Sequence, residues 1–333
     1  MKAVRRQCTG VSKIVFGVTL CVMLFVFCPP APAQQAKKLP RIGFLQPGVF
    51  PPAYREEFRK GLRQLGYVEG ENILVEYRLA KGLEELSTRV AELVGLHVDV
   101  IVTWTTPGTL AAKQGTKTIP IVAVSGDPVE TGLVASLARP GGNVTGFAIL
   151  TTDLETKKLE LLREAIPGIS RIGVLWNPDN PVWASAWKQL PNAAQSLGLK
   201  LQSLEVRNPG AFEQVFSSAS SQRAGALLVV QERLFVSHRQ RMVELAARKR
   251  LPAIYGEGNF VVAGGLMSYG ASVPDMLGRS AVYVDKILKG TKAAELPVEQ
   301  ALKFEMMINL KAAKQIGLII PPNVLARADR VIR

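Results

Sequence analysis

The chain has 333 residues, of which 47% are hydrophobic and 20% charged, and its formal net charge at pH 7 is +14. This length is too great for one small domain and is sufficient for two cores of ordinary size. The three cysteines, Cys8, Cys21 and Cys28, all lie near the amino terminus. The rest of the sequence therefore offers no disulfide, thiol nucleophile or thiolate metal site. It also lacks the cysteine pair that two-lobed, cofactor-independent amino-acid racemases need.

The first 33 residues have the pattern of a secretory signal peptide. Four basic residues, Lys2, Arg5, Arg6 and Lys13, precede the apolar run Ile14–Phe27, and the small-residue sequence Ala31-Pro32-Ala33 follows it. We predict cleavage after Ala33, a mature chain that begins at Gln34 with a formal charge of +10, and a periplasmic location. A membrane anchor is one alternative, but fourteen apolar residues are short for a span. A lipoprotein is another, although Cys28 follows Phe27 and not the usual small residue.

A short repeat indicates two similar α/β units. Arg41–Leu45 (RIGFL) returns as Arg171–Leu175 (RIGVL), and helical patterns follow over 54–65 and 182–197. Later apolar runs also correspond, namely 98–102 with 226–230 and 119–122 with 251–254. Short, continuously apolar strands between helices are typical of parallel sheets that are covered on both faces. We therefore predict an α/β fold with two doubly wound lobes and a ligand site between them, beyond the carboxyl ends of the strands.

The predicted hinge lies where the first unit ends. Thr151-Thr152-Asp153 follows a strand over 144–149 and should cap a helix that begins the second lobe. The chain should return near Tyr269, so that the next helix packs on the first lobe. The predicted lobes are residues 40–152 plus about 270–295 for the first and 153–269 for the second, with the segment 296–333 unassigned.

The chain carries no recognisable catalytic signature. Its two histidines, His97 and His238, fall in different units and predict neither a zinc site nor a triad. A G-x-S-x-G elbow and a phosphate loop are absent, and Gly256-Glu257-Gly258 lacks the third glycine of a dinucleotide fingerprint because Val261 stands there. We predict that the protein is not an enzyme and binds no cofactor and no metal. A hydrolase or lyase that uses acidic residues near the strand ends is the alternative.

The densest basic cluster lies between Arg239 and Arg250. Its spacing places the charges around a helix whose buried stripe contains Met242, Val243 and Leu245, and no aromatic residues are interleaved for base stacking. We therefore predict a solvated helix face and no nucleic-acid partner.

Aromatic, hydroxyl, amide and carboxylate groups follow the predicted strands in both units. Such chemistry suits a zwitterion with an apolar side chain. Thr105 and Thr106 should also cap the helix that Pro107 starts. Local roles are the alternative, since Ser125, Asp127 and Asn177 are typical helix caps and either tryptophan is suited to a place under its sheet. The predicted ligand-binding residues are Gln46, Trp104, Thr105, Thr106, Ser125 and Asp127, followed by Trp176, Asn177, Gln231, Glu232, Tyr255 and Tyr269.

One long segment, Asp127–Gly146 (DPVETGLVASLARPGGNVTG), closely resembles the signature of the tryptophan/tyrosine-type substrate-binding proteins of ABC transporters. The likeness extends from Arg41 to about Val331, which is essentially the whole predicted mature chain. Shorter matching segments are Asn177-Pro178 with Asn180, Leu251–Tyr255 (LPAIY), Gly264–Gly270 (GGLMSYG) and Leu296–Gln300 (LPVEQ).

The resemblance implies a periplasmic binding protein of the type I class. Such a protein has two Rossmann-like lobes joined by hinge crossings, traps a small-molecule ligand between them and delivers it to an ABC permease in the inner membrane. We expect a monomer. A periplasmic sensor that presents its ligand to a signalling receptor is the alternative, because the same closed pair of lobes can dock on a receptor.

Characterised members of that family bind aromatic amino acids. On their pattern Asp127 would hold the ligand's ammonium group, Thr105 and Thr106 with nearby helix amides would hold its carboxylate, and Asn177 would close from the second lobe. The chain departs from the pattern at two loops. Many relatives have Gly-Thr-Pro at Thr105-Thr106-Pro107, and a Pro-Asp-Pro-like loop at Gln231-Glu232-Arg233.

Overall fold

The structure is a computed structural model that describes residues 39–48 and 52–333. The predicted signal peptide, its cleavage site and the cysteines lie outside the described residues. Among the residues that are described, no helix combines the length and the apolar character needed to cross a membrane.

The first lobe is built on a parallel sheet. Its strands are β1 (Arg41–Pro47), β2 (Leu74–Ala80), β3 (Val100–Trp104), β4 (Ile121–Gly126), β5 (Val144–Ile149) and β11 (Glu299–Gln300). They lie in the order β11-β5-β4-β3-β1-β2. Its helices are α1 (Pro52–Gln64), α2 (Leu86–Gly95), α3 (Thr106–Gly115) and α10 (Val273–Leu288).

The second lobe is built on a mainly parallel sheet. Its strands are β6 (Arg171–Trp176), β7 (Lys200–Glu205), β8 (Ala226–Val229), β9 (Ala253–Tyr255), β10 (Met267–Ala271), β12 (Phe304–Asn309) and β13 (Arg330–Ile332). Their order is β13-β12-β10-β9-β8-β6-β7, with β12 antiparallel to β10. The helices in this part of the chain are α4 (Thr151–Ala165), α5 (Pro181–Ser196), α6 (Phe212–Ser221), α7 (Arg233–Ser237), α8 (Arg239–Arg248), α9 (Gly258–Val262), α11 (Leu310–Gln315) and α12 (Pro322–Leu325).

The predicted fold class is confirmed, and the repeated pentapeptide explains part of it. Its two copies form the equivalent strands β1 and β6, each next to an edge strand of its sheet, and both are almost wholly buried. The glycine of each copy allows a neighbouring element to pack closely, namely helix α2 against Gly43 and strand β7 against Gly173. A Cβ atom at Gly43 would lie 3.0 Å from a methyl group of Leu93, and one at Gly173 would lie 2.7 Å from a methyl group of Leu204. The repeat therefore encodes the close packing of both lobes.

The chain passes between the sheets at Leu150, at Ser272 and over residues 301–303. After the second crossing, helix α10 returns to the first lobe and packs against α1. Gly61 permits this approach, since a Cβ atom there would lie 2.2 Å from the carbonyl oxygen of Gly278. The segment that the sequence pattern left unassigned is divided, because β11 extends the first sheet while β12 and β13 complete the second.

Candidate functional site

A cavity lies between the carboxyl ends of the two sheets. Its volume is about 990 Å³, with the solvent at its mouth included. Both lobes contribute apolar and aromatic walls, which include Pro47, Tyr54, Leu83, Trp104, Val124, Ile149, Leu154, Val182, Trp183, Val236 and Val273. The polar side chains of the lining lie at or just beyond the carboxyl ends of β3, β4, β5, β6, β8 and β9, and are Thr105, Thr106, Ser125, Thr151, Asn180, Gln231, Glu232, Arg233 and Glu257. A few polar groups in a mostly apolar cleft are typical of small-molecule sites.

On the first lobe, the amino terminus of α3 faces the cavity. Thr105 is its N-cap, and the Thr105 hydroxyl accepts a hydrogen bond from the backbone N–H of Gly108 at 3.2 Å. Thr105 has φ of 72°, a backbone conformation that is uncommon for a residue other than glycine and that recurs at functional sites. Thr106 fixes the neighbouring loop, because its hydroxyl donates to the Gly126 carbonyl at 3.1 Å. A helix amino terminus with adjacent hydroxyls favours an anion.

On the second lobe, the carboxyl group of Glu232 is buried behind the cavity wall. Its Oε2 accepts hydrogen bonds from Asn180 Nδ2 at 2.8 Å and from Trp183 Nε1 at 3.1 Å. Its Oε1 faces the backbone N–H of Leu234, so Glu232 also caps α7. Burial raises the pKa of Glu232, and the Asn180 hydrogen bond opposes this effect.

A second carboxyl group, that of Glu257, lies where the two lobes meet. Its Oε1 accepts a hydrogen bond from Gln231 Nε2 at 2.9 Å, while its Oε2 is buried and meets no hydrogen-bond partner within the described chain. Burial raises the pKa of Glu257. Tyr54 of the first lobe lines the same cavity as Glu257. Burial, and then the charge on Glu257, raise the pKa of the Tyr54 hydroxyl. Glu257 therefore interacts with both lobes.

Arg233 connects the lobes directly. Its Nη1 donates to the carbonyl oxygen of Lys81 in the first lobe at 2.8 Å. Its side chain also covers Gly48, where a Cβ atom would lie 2.4 Å from Arg233 Cδ. Gly48 has φ of 95° and follows β1. The lobes are thus in contact across the mouth of the cavity.

The structure brings several of the predicted site residues together at the cavity. These are Trp104, Thr105, Thr106 and Ser125 from the first lobe, with Gln231 and Glu232 from the second. Trp104 packs edge-on against Tyr54, with ring centroids 6.4 Å apart. The predicted cap of α3 is also observed, with Thr105 as the capping residue.

Asp127 and Gln46 do not line the cavity, and both form hydrogen bonds to other parts of the protein. Asp127 Oδ1 accepts a hydrogen bond from the backbone N–H of Thr151 at 2.8 Å, at the first residue of α4. The sequence pattern assigned this capping role to Thr151-Thr152-Asp153, whereas the acceptor comes from the loop after β4. Burial raises the pKa of Asp127, and the Thr151 hydrogen bond opposes that shift. Gln46 Oε1 accepts from Arg55 Nη2 at 2.9 Å.

The remaining predicted residues make local contacts and do not line the cavity. Tyr255 is fully buried in the second core, which leaves its ring no access to a ligand in the cleft. The contacts pair Tyr255 with Phe260 (ring centroids 4.6 Å apart), Tyr269 with Phe304 (5.9 Å), Trp176 with Trp187 (5.4 Å), and Asn177 Oδ1 with the backbone N–H of Asp179 (3.0 Å).

Tyr54, Asn180, Trp183, Arg233 and Glu257 line the cavity but were not among the predicted site residues. A signal for most of them was present in the sequence. Asn180 precedes Pro181 and so marks a helix start, which places Trp183 on the first turn of α5. Glu257 stands two residues after β9. Tyr54 required knowledge of how closely α1 approaches the second lobe.

Residues 52–332 match the protein family described as ABC transporter substrate binding protein. The chain belongs to this family. Its members are solute-binding proteins rather than enzymes, and they are typically extracytoplasmic.

Individual proteins resemble this chain over most of its length. The chain is 28% identical over 267 residues to the tyrosine-binding protein of Clostridioides difficile (strain R20291), which covers 79% of this chain and 76% of that protein. A conserved domain protein from Vibrio cholerae is 30% identical, with a TM-score of 0.84 over 88% of this chain and 100% of that chain. An ABC domain from Streptococcus pneumonia in complex with L-Trp is 24% identical, with a TM-score of 0.82 over the same shares.

A further structure is that of a ligand-free, open substrate binding protein with adhesive properties from Clostridium difficile. It is 27% identical and covers 88% of this chain and 99% of that chain, but its TM-score is 0.66. The lower TM-score, at an identity similar to that of the Vibrio cholerae protein, agrees with the direct contacts between the lobes in this chain.

Proposed function

We propose that the protein is a periplasmic substrate-binding protein of an ABC uptake transporter. It captures an amino acid with an aromatic or other apolar side chain between two closing lobes and delivers it to an inner-membrane permease. The observation that carries this proposal is the polarity of the cavity. A helix amino terminus with hydroxyl groups lies on the first lobe, and buried carboxyl groups lie on the second.

This polarity matches a zwitterion. The α3 terminus, with Thr105 and Thr106, suits a carboxylate because its N–H groups and dipole attract negative charge. Glu232 and Glu257 suit an ammonium group, since a buried carboxylate is stabilised by an opposite charge. Trp104 and Trp183 supply flat apolar surface for the ligand's side chain.

The relatives support an aromatic ligand in particular. The name of the Clostridioides difficile relative states that it binds tyrosine, and the Streptococcus structure contains L-Trp.

Binding assays on the mature protein test the proposal. Native mass spectrometry followed by titration calorimetry with L-tryptophan, L-tyrosine, L-phenylalanine and L-leucine should give one-to-one binding of at least one amino acid. D-glucose is the matched neutral control and should not bind. If none of the amino acids binds, the proposed function is wrong.

The periplasmic location has its own test. The purified protein from a cell-envelope fraction should begin at Gln34, as the Ala31-Pro32-Ala33 sequence predicts. An amino terminus that carries lipid on Cys28, or that remains uncleaved, would contradict the predicted location.

A further inference from the structure

We infer that Glu257, and not Asp127, receives the ammonium group of the ligand, with Gln231 and Tyr54 as the residues that position its carboxyl group. This inference rests on the proposed function, because it assigns one end of a zwitterion within the same cavity. Three acidic side chains compete for the role, and the structure distinguishes them by what each already contacts.

Asp127 already accepts a hydrogen bond from the backbone of the protein. Its Oδ1 lies 2.8 Å from the backbone nitrogen of Thr151, where it satisfies the first turn of α4. Asp127 is also absent from the cavity lining, although its neighbours Ser125 and Gly126 are part of that lining. A ligand ammonium at this carboxylate would have to share it with the amino terminus of α4.

Glu232 lines the cavity but is already supplied with donors from its own lobe. Asn180 and Trp183 both donate to Oε2, and the Leu234 N–H faces Oε1 at 3.5 Å. These contacts bind the loop after β8 to the start of α5. We assign Glu232 to the shaping of the second-lobe wall, with Trp183 held by it against the cavity.

Of the three competing residues, Glu257 is the one with a buried oxygen that lacks a hydrogen-bond partner in the described chain. Gln231 holds Oε1 at 2.9 Å, and Oε2 is buried without a hydrogen-bond partner in the described chain. A buried acceptor without a donor costs free energy that a ligand cation would recover. Gly256 makes this arrangement possible, because a Cβ atom there would lie 2.7 Å from Gln231 Cβ and would separate the two loops.

The position of Glu257 also couples ammonium binding to lobe closure. Glu257 belongs to the second lobe, whereas Tyr54 belongs to helix α1 of the first, and both line the same cavity. The charge on Glu257 also contributes to the raised pKa of Tyr54, after burial. A ligand that binds both the α3 terminus and Glu257 therefore has greater affinity for the closed arrangement than for an open one.

The experiment compares amino acids with acids of the same skeleton that lack the amino group. The pairs are L-phenylalanine with phenylpropanoate and L-tryptophan with indolepropanoate, titrated by calorimetry into the wild type and into the variants Glu257→Gln, Glu232→Gln and Asp127→Asn. Glutamine is close in shape to glutamate and keeps an acceptor for Gln231, so the loop should remain ordered. Thermal unfolding of each ligand-free variant monitors the fold.

We expect Glu257→Gln to weaken amino-acid binding about 100-fold, because a desolvated ammonium loses its charged partner. The same variant should change binding of the amino-free acid less than about threefold. Asp127→Asn should leave both affinities within about threefold of the wild type.

Two results would overturn the assignment. An equal loss for both members of a pair in Glu257→Gln would mean that Glu257 only supports the loop, and a selective loss in Glu232→Gln or Asp127→Asn would move the ammonium site there. If the wild type binds no amino acid, the proposed function itself fails, and the assignment fails with it. Binding of an amino acid by the wild type therefore separates a failure of the assignment from a failure of the proposed function.

Discussion

Helices α3 and α4 both begin at the carboxyl end of the first sheet, but their first turns meet different groups. The backbone N–H of Thr151 in α4 donates to the carboxylate of Asp127, so an internal side chain supplies the anion. The first turn of α3 is capped by the hydroxyl of Thr105, which carries no charge. Both first turns line the cavity, α3 through Thr106 and α4 through Thr151. The same physical preference of a helix amino terminus for negative charge thus serves the fold in one case and is left for a ligand in the other.

The largest effect is expected when the amino terminus of α3 receives a carboxylate from the protein itself, as the amino terminus of α4 already does. Thr105→Asp keeps a good N-cap and should leave the unfolding free energy within about 1 kcal/mol of the wild type. Its charge would occupy the position that we assign to the ligand's carboxylate, so amino-acid affinity should fall at least about 100-fold.

Thr105→Asn is the matched control for that variant. It has nearly the same shape as the aspartate variant without the charge, and it should weaken binding less than about tenfold. Equal losses for the aspartate and asparagine variants in calorimetry would show that the carboxylate does not bind at the α3 terminus.

A second expected effect is a dependence on pH. It should arise from the carboxyl groups on the second-lobe wall of the cavity and not from the α3 terminus on the first-lobe wall. Burial raises the pKa of Glu232 and of Glu257 above their unfolded values, against the opposing charges of Arg233 and Arg239 respectively. Between the unfolded and folded pKa values the folded protein binds more protons than the unfolded chain, so these groups make the ligand-free protein more stable as pH falls through that window.

Ligand affinity should change in the opposite direction over the same window. Ammonium binding needs charged Glu257, so affinity should fall by up to about tenfold per pH unit as that residue becomes protonated. Calorimetry across the window above about pH 4.3 measures this effect, and Glu257→Gln should largely remove it. An identical pH slope in the wild type and the variant would exclude Glu257 as its source.

A smaller effect is expected from Arg233, which contacts the first lobe from the second. Arg233→Ala removes the hydrogen bond to the Lys81 carbonyl and should weaken amino-acid binding about fivefold, mainly through faster dissociation from a less stable closed state. Arg241→Ala is the matched control, since Arg241 donates to the Pro209 carbonyl within the second lobe. Stopped-flow dissociation rates that change equally in both variants would contradict the role of Arg233 in closure.

The smallest effect on binding is expected at Asp127. Asp127→Ala leaves the Thr151 N–H without its acceptor and should lower the unfolding free energy by about 1 kcal/mol. Amino-acid affinity should stay within about threefold of the wild type, because the carboxylate acts on α4 and not on the ligand. Urea unfolding measures the loss of stability, and calorimetry on the same preparation measures the affinity. A loss of affinity of about tenfold or more would show that Asp127 contacts the ligand.

Much of the fold was predictable because it depends on local patterns. The helix predicted over 54–65 is observed as α1 (Pro52–Gln64), and the one predicted over 182–197 as α5 (Pro181–Ser196). Both follow a buried strand and carry a clear apolar face. The path of residues 296–333 was not predictable, because the short strand β11 joins β5 through pairing with residues about 150 positions away.

The site was only partly predictable for a related reason. The position of a residue after a strand places it near the cleft, and this rule identified Trp104, Thr105 and Glu232. It does not state which neighbour a side chain contacts, so Asp127 and Trp176 seemed equally suitable. Asp127 contacts the end of α4, and Trp176 donates to the Ser203 hydroxyl at 2.9 Å. These contacts arise from tertiary packing, which a single sequence does not specify.

The return of α10 to the first lobe has a consequence for the synthesis of the chain. A nascent polypeptide that ends at Ile149 contains β1 to β5 but lacks Leu277 and Val284, which belong to the same core as Phe44. Both α10 and β11 must leave the ribosome before that core is complete. The first half of the polypeptide therefore emerges without a finished hydrophobic interior, and contacts between such distant segments form slowly. Slow folding of this kind would suit the export that we propose, since a translocation channel passes an extended chain.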